Sequence, residues 1–274
     1  VGTTTPARPT FAADLVVYHP ANGSWYSLTA GSGFVSTTSY QWGITGDQPI
    51  RDDFDGDGHL DLVVYRPGDG TWWIRFSSSN FTTSASYQWG LRGDVPVAGD
   101  FDGDGKADLI VYRPSDGTWW AKHSATNYAS YATYQWGLAG DQPVHADFDG
   151  DGKSDLVVYR PSTGTWSLRF SSSNYTTYAF HQWGLGEDVP IPEDFDGDGK
   201  SDLVVYRPSN GTWSIWFSSG NFSNGNWAVH QWGLKGDRPV LGDLDGDGTT
   251  DSGHVDGLTA GVDHAPARRG ERPG

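Results

Sequence analysis

Gln-Trp-Gly occurs five times in this chain, with its tryptophan at Trp42, Trp89, Trp136, Trp183 and Trp232. Gly-Thr-Trp or Gly-Ser-Trp also occurs five times, at Trp25, Trp72, Trp119, Trp166 and Trp213. The second series is spaced by 47 residues throughout, the first by 47, 47, 47 and 49. A chain written as tandem copies of one short unit must fold as a stack or ring of one supersecondary element, because every copy offers its neighbours the same faces. The two extra residues lie in "SSGNFSNGNWAVHQWG", in an expected hairpin tip where insertions cost little.

Within a unit, alternating runs bounded by turn residues mark four short strands. In one copy these are "PVAGDF" (96–101), "DLIVYRP" (108–114), "TWWAKHS" (118–124) and "ATYQWG" (132–137), separated by turn chemistry. No segment shows a helical period. Such a unit in tandem predicts an all-β fold, a five-bladed β-propeller of four-stranded antiparallel blades with about 47 residues per repeat. At the N-terminus, 14–25 and 39–43 supply the second to fourth strands of a blade with no first strand. At the C-terminus, 237–251 supply a first strand and its loop. The expectation is a ring closed by that C-terminal strand joining the N-terminal three, which removes exposed sheet edges; a fragment of a longer array is the other reading. The expected organisation is an N-terminal extension over 1–10, the propeller over 11–251 and a disordered tail over 252–274.

Between the first two strands of each unit runs Asp-x-Asp-Gly-Asp-Gly-x-x-Asp. The copies place Asp53, Asp55, Asp57 and Asp61; Asp100, Asp102, Asp104 and Asp108; Asp147, Asp149, Asp151 and Asp155; Asp194, Asp196, Asp198 and Asp202; and Asp243, Asp245, Asp247 and Asp251. Carboxylates at loop positions 1, 3, 5 and 9, a carbonyl at 7 and glycine at 6 match the oxygen-ligand spacing of a calcium loop. Zinc is disfavoured, since no His or Cys shares the spacing. Without an ion, four converging carboxylates would repel one another, so a bare Asp-Gly turn is the poorer reading. In the fifth copy either Asp251 or Asp14 could take the last position. The expected cofactor is therefore structural Ca2+, about five ions, which would bring the formal charge from −16 to about −6. Affinities of about 0.1–1 mM, as in extracellular modules, would leave the sites empty in a cytosol and imply a secreted or cell-surface setting.

The stretch "GDFDGDGKADLIVYRP" resembles the FG-GAP and VCBS repeats of integrin alpha-chain propellers and of many secreted bacterial proteins. The resemblance spans about residues 11–251 and implies a propeller whose calcium loop joins the first two strands of a blade. It extends to calcium-stabilised propeller lectins of fungi and bacteria, which hold sugars in pockets between neighbouring blades. The chain departs from the integrin pattern in its five units and in "QWG" where that family often has "FG". Adhesion, carbohydrate recognition and accessory roles all occur on such repeats, so fold analogy cannot choose among them.

Sugar recognition needs an aromatic face and planar polar groups. Alternation in "GTWWIRF" sends Trp72 to one blade face and Trp73 to the other. The candidate ligand residues are Trp25, Trp72, Trp73, Trp119, Trp120, Trp166 and Trp213, with Arg66, Arg113, Arg160 and Arg207. Core packing is the competing role for both tryptophan series, and pairing with Asp94 and its counterparts for the arginines. The 18 Lys and Arg form no basic face, which excludes nucleic acid as a partner, and no apolar run is long enough for membrane insertion. Enzyme motifs (a phosphate loop, HExxH, G-x-S-x-G) are absent, and near-identical repeats suit multivalent binding better than one active site. The expectation is a lectin-like, non-enzymatic module binding glycans; a structural or protein-binding adhesion module is the alternative.

Overall fold

A computed structural model describes residues 15–28, 35–242 and 251–255. The strands are β1 (Leu15–His19), β2 (Ser24–Leu28), β3 (Thr37–Gln41), β4 (Gln48–Ile50), β5 (Leu62–Arg66), β6 (Thr71–Arg75) and β7 (Ser84–Gln88). They continue with β8 (Val95–Val97), β9 (Leu109–Arg113), β10 (Thr118–Lys122), β11 (Tyr131–Gln135), β12 (Gln142–Val144), β13 (Leu156–Arg160), β14 (Thr165–Arg169) and β15 (Tyr178–Gln182). The last six are β16 (Val189–Pro190), β17 (Leu203–Arg207), β18 (Thr212–Trp216), β19 (Trp227–Gln231), β20 (Arg238–Gly242) and β21 (Asp251–Val255).

The architecture is the expected all-β propeller. Four antiparallel four-stranded blades, β4–β7, β8–β11, β12–β15 and β16–β19, follow the chain with no crossover, and β1–β3 and β20–β21 carry the remaining unit. Burial falls from the second strand of a blade to the fourth. In β5, β9, β13 and β17 the first four residues are buried, whereas β7, β11 and β15 alternate between exposed and half-buried. Second strands are near-continuous Leu, Val, Ile and Tyr because both their faces are covered by neighbouring blades. The core accordingly lies between blades: Val63, Tyr65, Trp72 and Ile74 pack on Leu109 and Val111, and the same positions recur at the next two seams.

In the described units the start of the third strand meets the end of the fourth through a backbone approach that only glycine permits. Gly70 has φ +74°, and a Cβ there would lie 2.3 Å from the carbonyl oxygen of Gly90. Gly70→Ala should therefore destabilise the fold by more than about 1 kcal/mol in urea unfolding; an unchanged midpoint would contradict this packing.

The closing pair differs from the expected one. β20 pairs with β21, Arg238 opposite Val255, in the register that sets Val189 opposite Tyr206 one unit earlier. Among the described residues β1 pairs only with β2, and Val17 is 62% exposed where its counterparts Val64, Val111, Val158 and Val205 are 0–1%. A hairpin to the adjacent segment closes a far smaller loop than a join between the chain ends, so local pairing costs less entropy. Residues 252–255, which the sequence placed at the head of the tail, continue β21. Residues 1–14 and 256–274, which include the N-terminal extension and the rest of the expected tail, lie outside the described residues.

Candidate functional site: acidic loops and inter-blade clefts

Each described acidic loop between first and second strands is folded around its own carboxylates. Asp53 accepts hydrogen bonds from the N–H groups of Gly56 (2.7 Å) and Gly58 (2.8 Å), and the latter glycine turns at φ +83°. Asp61, at the start of the second strand, accepts from Phe54 N and Ser77 N at 2.9 and 2.7 Å. The same pattern places Asp108, Asp155 and Asp202 fully buried in their units. Burial raises these carboxyls, Asp155 to about 7 and Asp202 to about 6, despite two backbone N–H bonds apiece pulling the other way.

Carboxylate atoms converge within 4.8 Å of one another at Asp53, Asp55 and Asp57; at Asp100, Asp102 and Asp104; at Asp147, Asp149 and Asp155; and at Asp194, Asp196 and Asp202. Asp55 Oδ1 and Asp149 Oδ1 are sealed from solvent without a hydrogen-bond donor. A buried, unpaired carboxylate oxygen is costly unless a cation meets it, so this donor set fits a hard, oxygen-seeking ion. Asp14, Asp243, Asp245 and Asp247 lie outside the described residues, and Asp251 opens β21.

Serines that the motif reading passed over complete the loops. Ser77 Oγ donates to Asp57 (3.0 Å) and Ser78 Oγ to Asp55 (2.5 Å), with equivalents at Ser171, Ser172, Ser218 and Ser219. They follow the third strand as "FSSSN" or "FSSGN", a signal with the same period as the tryptophans. The Asn and aromatic residue that end this turn are both left-handed, for example Asn80 (φ 52°) and Phe81 (φ 59°). That conformation tucks Phe81 against Tyr40 of the preceding blade, ring centroids 4.9 Å apart.

The tryptophans divide differently from the expectation. Trp72, Trp119, Trp166 and Trp213 are 0–2% exposed and Trp25 is 7% exposed, so none of these five presents a face to a ligand. Their Nε1–H groups donate to the carbonyls of Trp89, Trp136, Trp183, Trp232 and Trp42. The cause is position: the third strand lies inside the blade, with a neighbouring blade over that face. The QWG tryptophans stand instead at the seams. Trp42, Trp89, Trp136 and Trp183 donate Nε1–H to the third strand of the next blade at 3.1–3.2 Å, and cations lie over three of their rings, Arg75, Lys122 and Arg169, at 5.1–5.5 Å.

Arg66, Arg113, Arg160 and Arg207 make bidentate pairs with Asp47, Asp94, Asp141 and Asp188 at 2.7–2.9 Å. Each carboxylate also accepts the N–H of the residue after QWG, at Ile44, Leu91, Leu138 or Leu185. The pair thus fixes the turn that leads from one blade to the next. Arg66 and Arg113 cover Trp73 and Trp120 at 5.2 Å.

Clefts open at seams between described blades. One, of about 360 Å³, is lined by Gln135, Trp136, Leu138, Arg160, Ser167 and Phe180. Another, of about 290 Å³, has Gln88, Trp89, Leu91, Val111, Arg113 and Trp120. Ser167 in the first stands where Trp120 fills the second. Leu91 and Leu138 are each 60% exposed and Phe180 59%, which leaves apolar surface open beside the indoles.

Comparison with known proteins agrees with the repeat. A family model described as FG-GAP-like repeat matches residues 53–111, 100–158 and 194–252. No curated protein gives a significant match. Among solved structures, a lectin of Agrocybe aegerita that recognises non-reducing terminal N-acetylglucosamine aligns over 89% of this chain and 71% of its own, with 16% identity and a TM-score of 0.54. A Lactobacillus plantarum protein aligns over 81% and 67%, with 14% identity and a TM-score of 0.48.

Proposed function

Since this chain belongs to the FG-GAP-like repeat family, we propose that it is a calcium-stabilised, non-enzymatic module that binds carbohydrate multivalently in the clefts between its blades. The observation that carries this reading is the cleft at Trp136. An indole and the exposed Phe180 ring lie 5.8 Å apart and 22° from parallel, with Gln135, Ser167 and Arg160 around them. Such a surface meets the apolar face of a pyranose while offering groups for its hydroxyls. Recognition of terminal N-acetylglucosamine by a lectin of similar fold supports the class of ligand.

A glycan array that includes terminal N-acetylglucosamine, probed in millimolar calcium, tests this. Binding to a defined set of glycans is expected; a folded protein that binds none would leave the alternative, a protein-binding adhesion or assembly module. The exposed aliphatics Ile44, Leu91, Leu138, Leu185 and Leu234, one per unit, would be its contact points.

Calcium is the proposed ion because the loops supply only oxygen ligands in three of the four described copies. Ions of such modest affinity fit a secreted or cell-surface setting. The raised carboxyls give a pH test. Asp155 and Asp202 have folded-state values of about 7 and about 6 against an ordinary 3.8, so the ion-free fold binds protons more tightly than the unfolded chain does. That margin is full below the ordinary carboxylate range and is lost as pH rises through about 6 to about 7. Chelated protein should melt lower at pH 8 than at pH 5, and the rise on adding calcium should be larger at pH 8. A chelated melt that climbs over this interval would contradict the buried loops.

A further inference from the structure

The 100–108 loop departs from its sisters in two places that meet at one carboxylate. Where the other described units follow the third strand with Phe76, Phe170 and Phe217, this one has His123. Where they have Ser78, Ser172 and Ser219, it has Ala125. Those serine hydroxyls donate to Asp55, Asp149 and Asp196 at 2.5–2.6 Å. Asp102, the equivalent residue, accepts the Ala125 N–H at 3.1 Å and has no hydroxyl donor at that position. In place of the hydroxyl, His123 Nδ1 lies 3.7 Å from Asp102 Oδ2 and 3.5 Å from Asp108 Oδ2.

Two observations beyond the acidic cluster point to a ligand. His123 Nδ1 is sealed from solvent and has no hydrogen-bond partner, although two carboxylates face it. Its distances exceed the roughly 2.7–3.2 Å of an N–H···O bond, so an ordinary imidazole–carboxylate pair does not explain the placement. They lie close to the separation of about 3.3 Å between two atoms that each bond one tetrahedral ion at about 2.0–2.1 Å. Oxygen ligands around calcium could adopt similar spacings; the nitrogen decides. Calcium takes oxygen, whereas imidazole combined with carboxylate suits zinc and its first-row neighbours.

We propose that Asp102, Asp108 and His123 form a mixed nitrogen–oxygen site for a borderline divalent cation of the Zn2+ and Co2+ class, distinct from the all-oxygen loops of the other units. Three protein ligands would leave one position for water or a ligand group. The proposal is independent of the carbohydrate reading.

The test is a Co2+ titration of the full chain in millimolar calcium, followed by visible absorption and reversed by Zn2+. Wild type should take up one equivalent that His123→Phe does not, with affinity falling by more than the roughly 10–100-fold that an outer-shell change costs. His123→Phe installs the residue of the three sister units, so its melt in calcium should match wild type. Equal Co2+ binding by wild type and His123→Phe, or no uptake by wild type in calcium, would overturn the proposal. If His123→Phe does not fold, Ala125→Ser decides: returning a hydroxyl donor to Asp102 should weaken Co2+ binding several-fold, and unchanged affinity would count against the site.

Discussion

Removing divalent cations with a chelator should lower the melting temperature by about 5–20 °C at neutral pH, taking about 2–4 °C per kcal/mol for a chain of this size. Each described loop gathers carboxylates within 4.8 Å, and some of their oxygens have no donor, so repulsion and desolvation are unrelieved without an ion. With millimolar calcium and affinities of about 0.1–1 mM, a site contributes about 0.4–1.4 kcal/mol, and the three all-oxygen sites about 1–4 kcal/mol, to which a cation held by the 100–108 loop would add. Because Asp61, Asp108, Asp155 and Asp202 start second strands that are buried on both faces, the loss at each loop reaches the blade core. Calorimetry in calcium and in chelator at matched ionic strength measures the shift. Coincident midpoints would mean that the loops hold no stabilising ion.

The second large effect separates the two tryptophan series. Trp166→Ala should destabilise the protein by about 3–5 kcal/mol, the range for truncating a buried aromatic. Trp166 is 0% exposed, and its indole N–H donates to the Trp183 carbonyl at 2.8 Å, so the substitution leaves both a void and an unmet acceptor. Trp136→Ala should cost much less stability and remove saccharide binding at its own cleft, reducing the number of sites by one. Denaturant unfolding and a binding-stoichiometry measurement on both variants check this. A Trp166→Ala protein of normal stability that loses binding, with Trp136→Ala binding normally, would reverse the roles assigned to the two residues.

The period of the chain made most of the fold legible. The second to fourth strands of the copy read at 96–137 fall within one or two residues of β9 to β11, because turn residues recur at the same places around each apolar run, whereas the first was expected over 96–101 and β8 ends at Val97. Asp spacing likewise marked the acidic loops. The ligand tryptophans were harder: alternation shows which blade face Trp72 and Trp73 occupy, but not how closely the next blade covers it. Exposure at Trp136 is decided by Ser167 and Phe180 on the neighbouring blade, a relation between residues a unit apart. Serine is an ordinary turn residue, so Ser77 and Ser78 carry no signal of their own in the sequence, and only their donation to Asp57 and Asp55 gives them a role. At the C-terminus "DSGHV" lacks an apolar run, yet β20 before it imposes the repeat's register on β21.

On the proposed function, ligand enters at the seams marked by QWG and leaves the GTW tryptophans in the core. Indole N–H signals in ¹H–¹⁵N NMR spectra, assigned by single substitution, report on both series in one sample. On adding an oligosaccharide selected by the glycan array, in calcium, the signals of Trp89 and Trp136 should shift in a saturable way while those of Trp72, Trp119 and Trp166 stay in place. Saturable shifts confined to Trp72, Trp119 and Trp166, or none at either cleft at concentrations that saturate binding, would contradict the account.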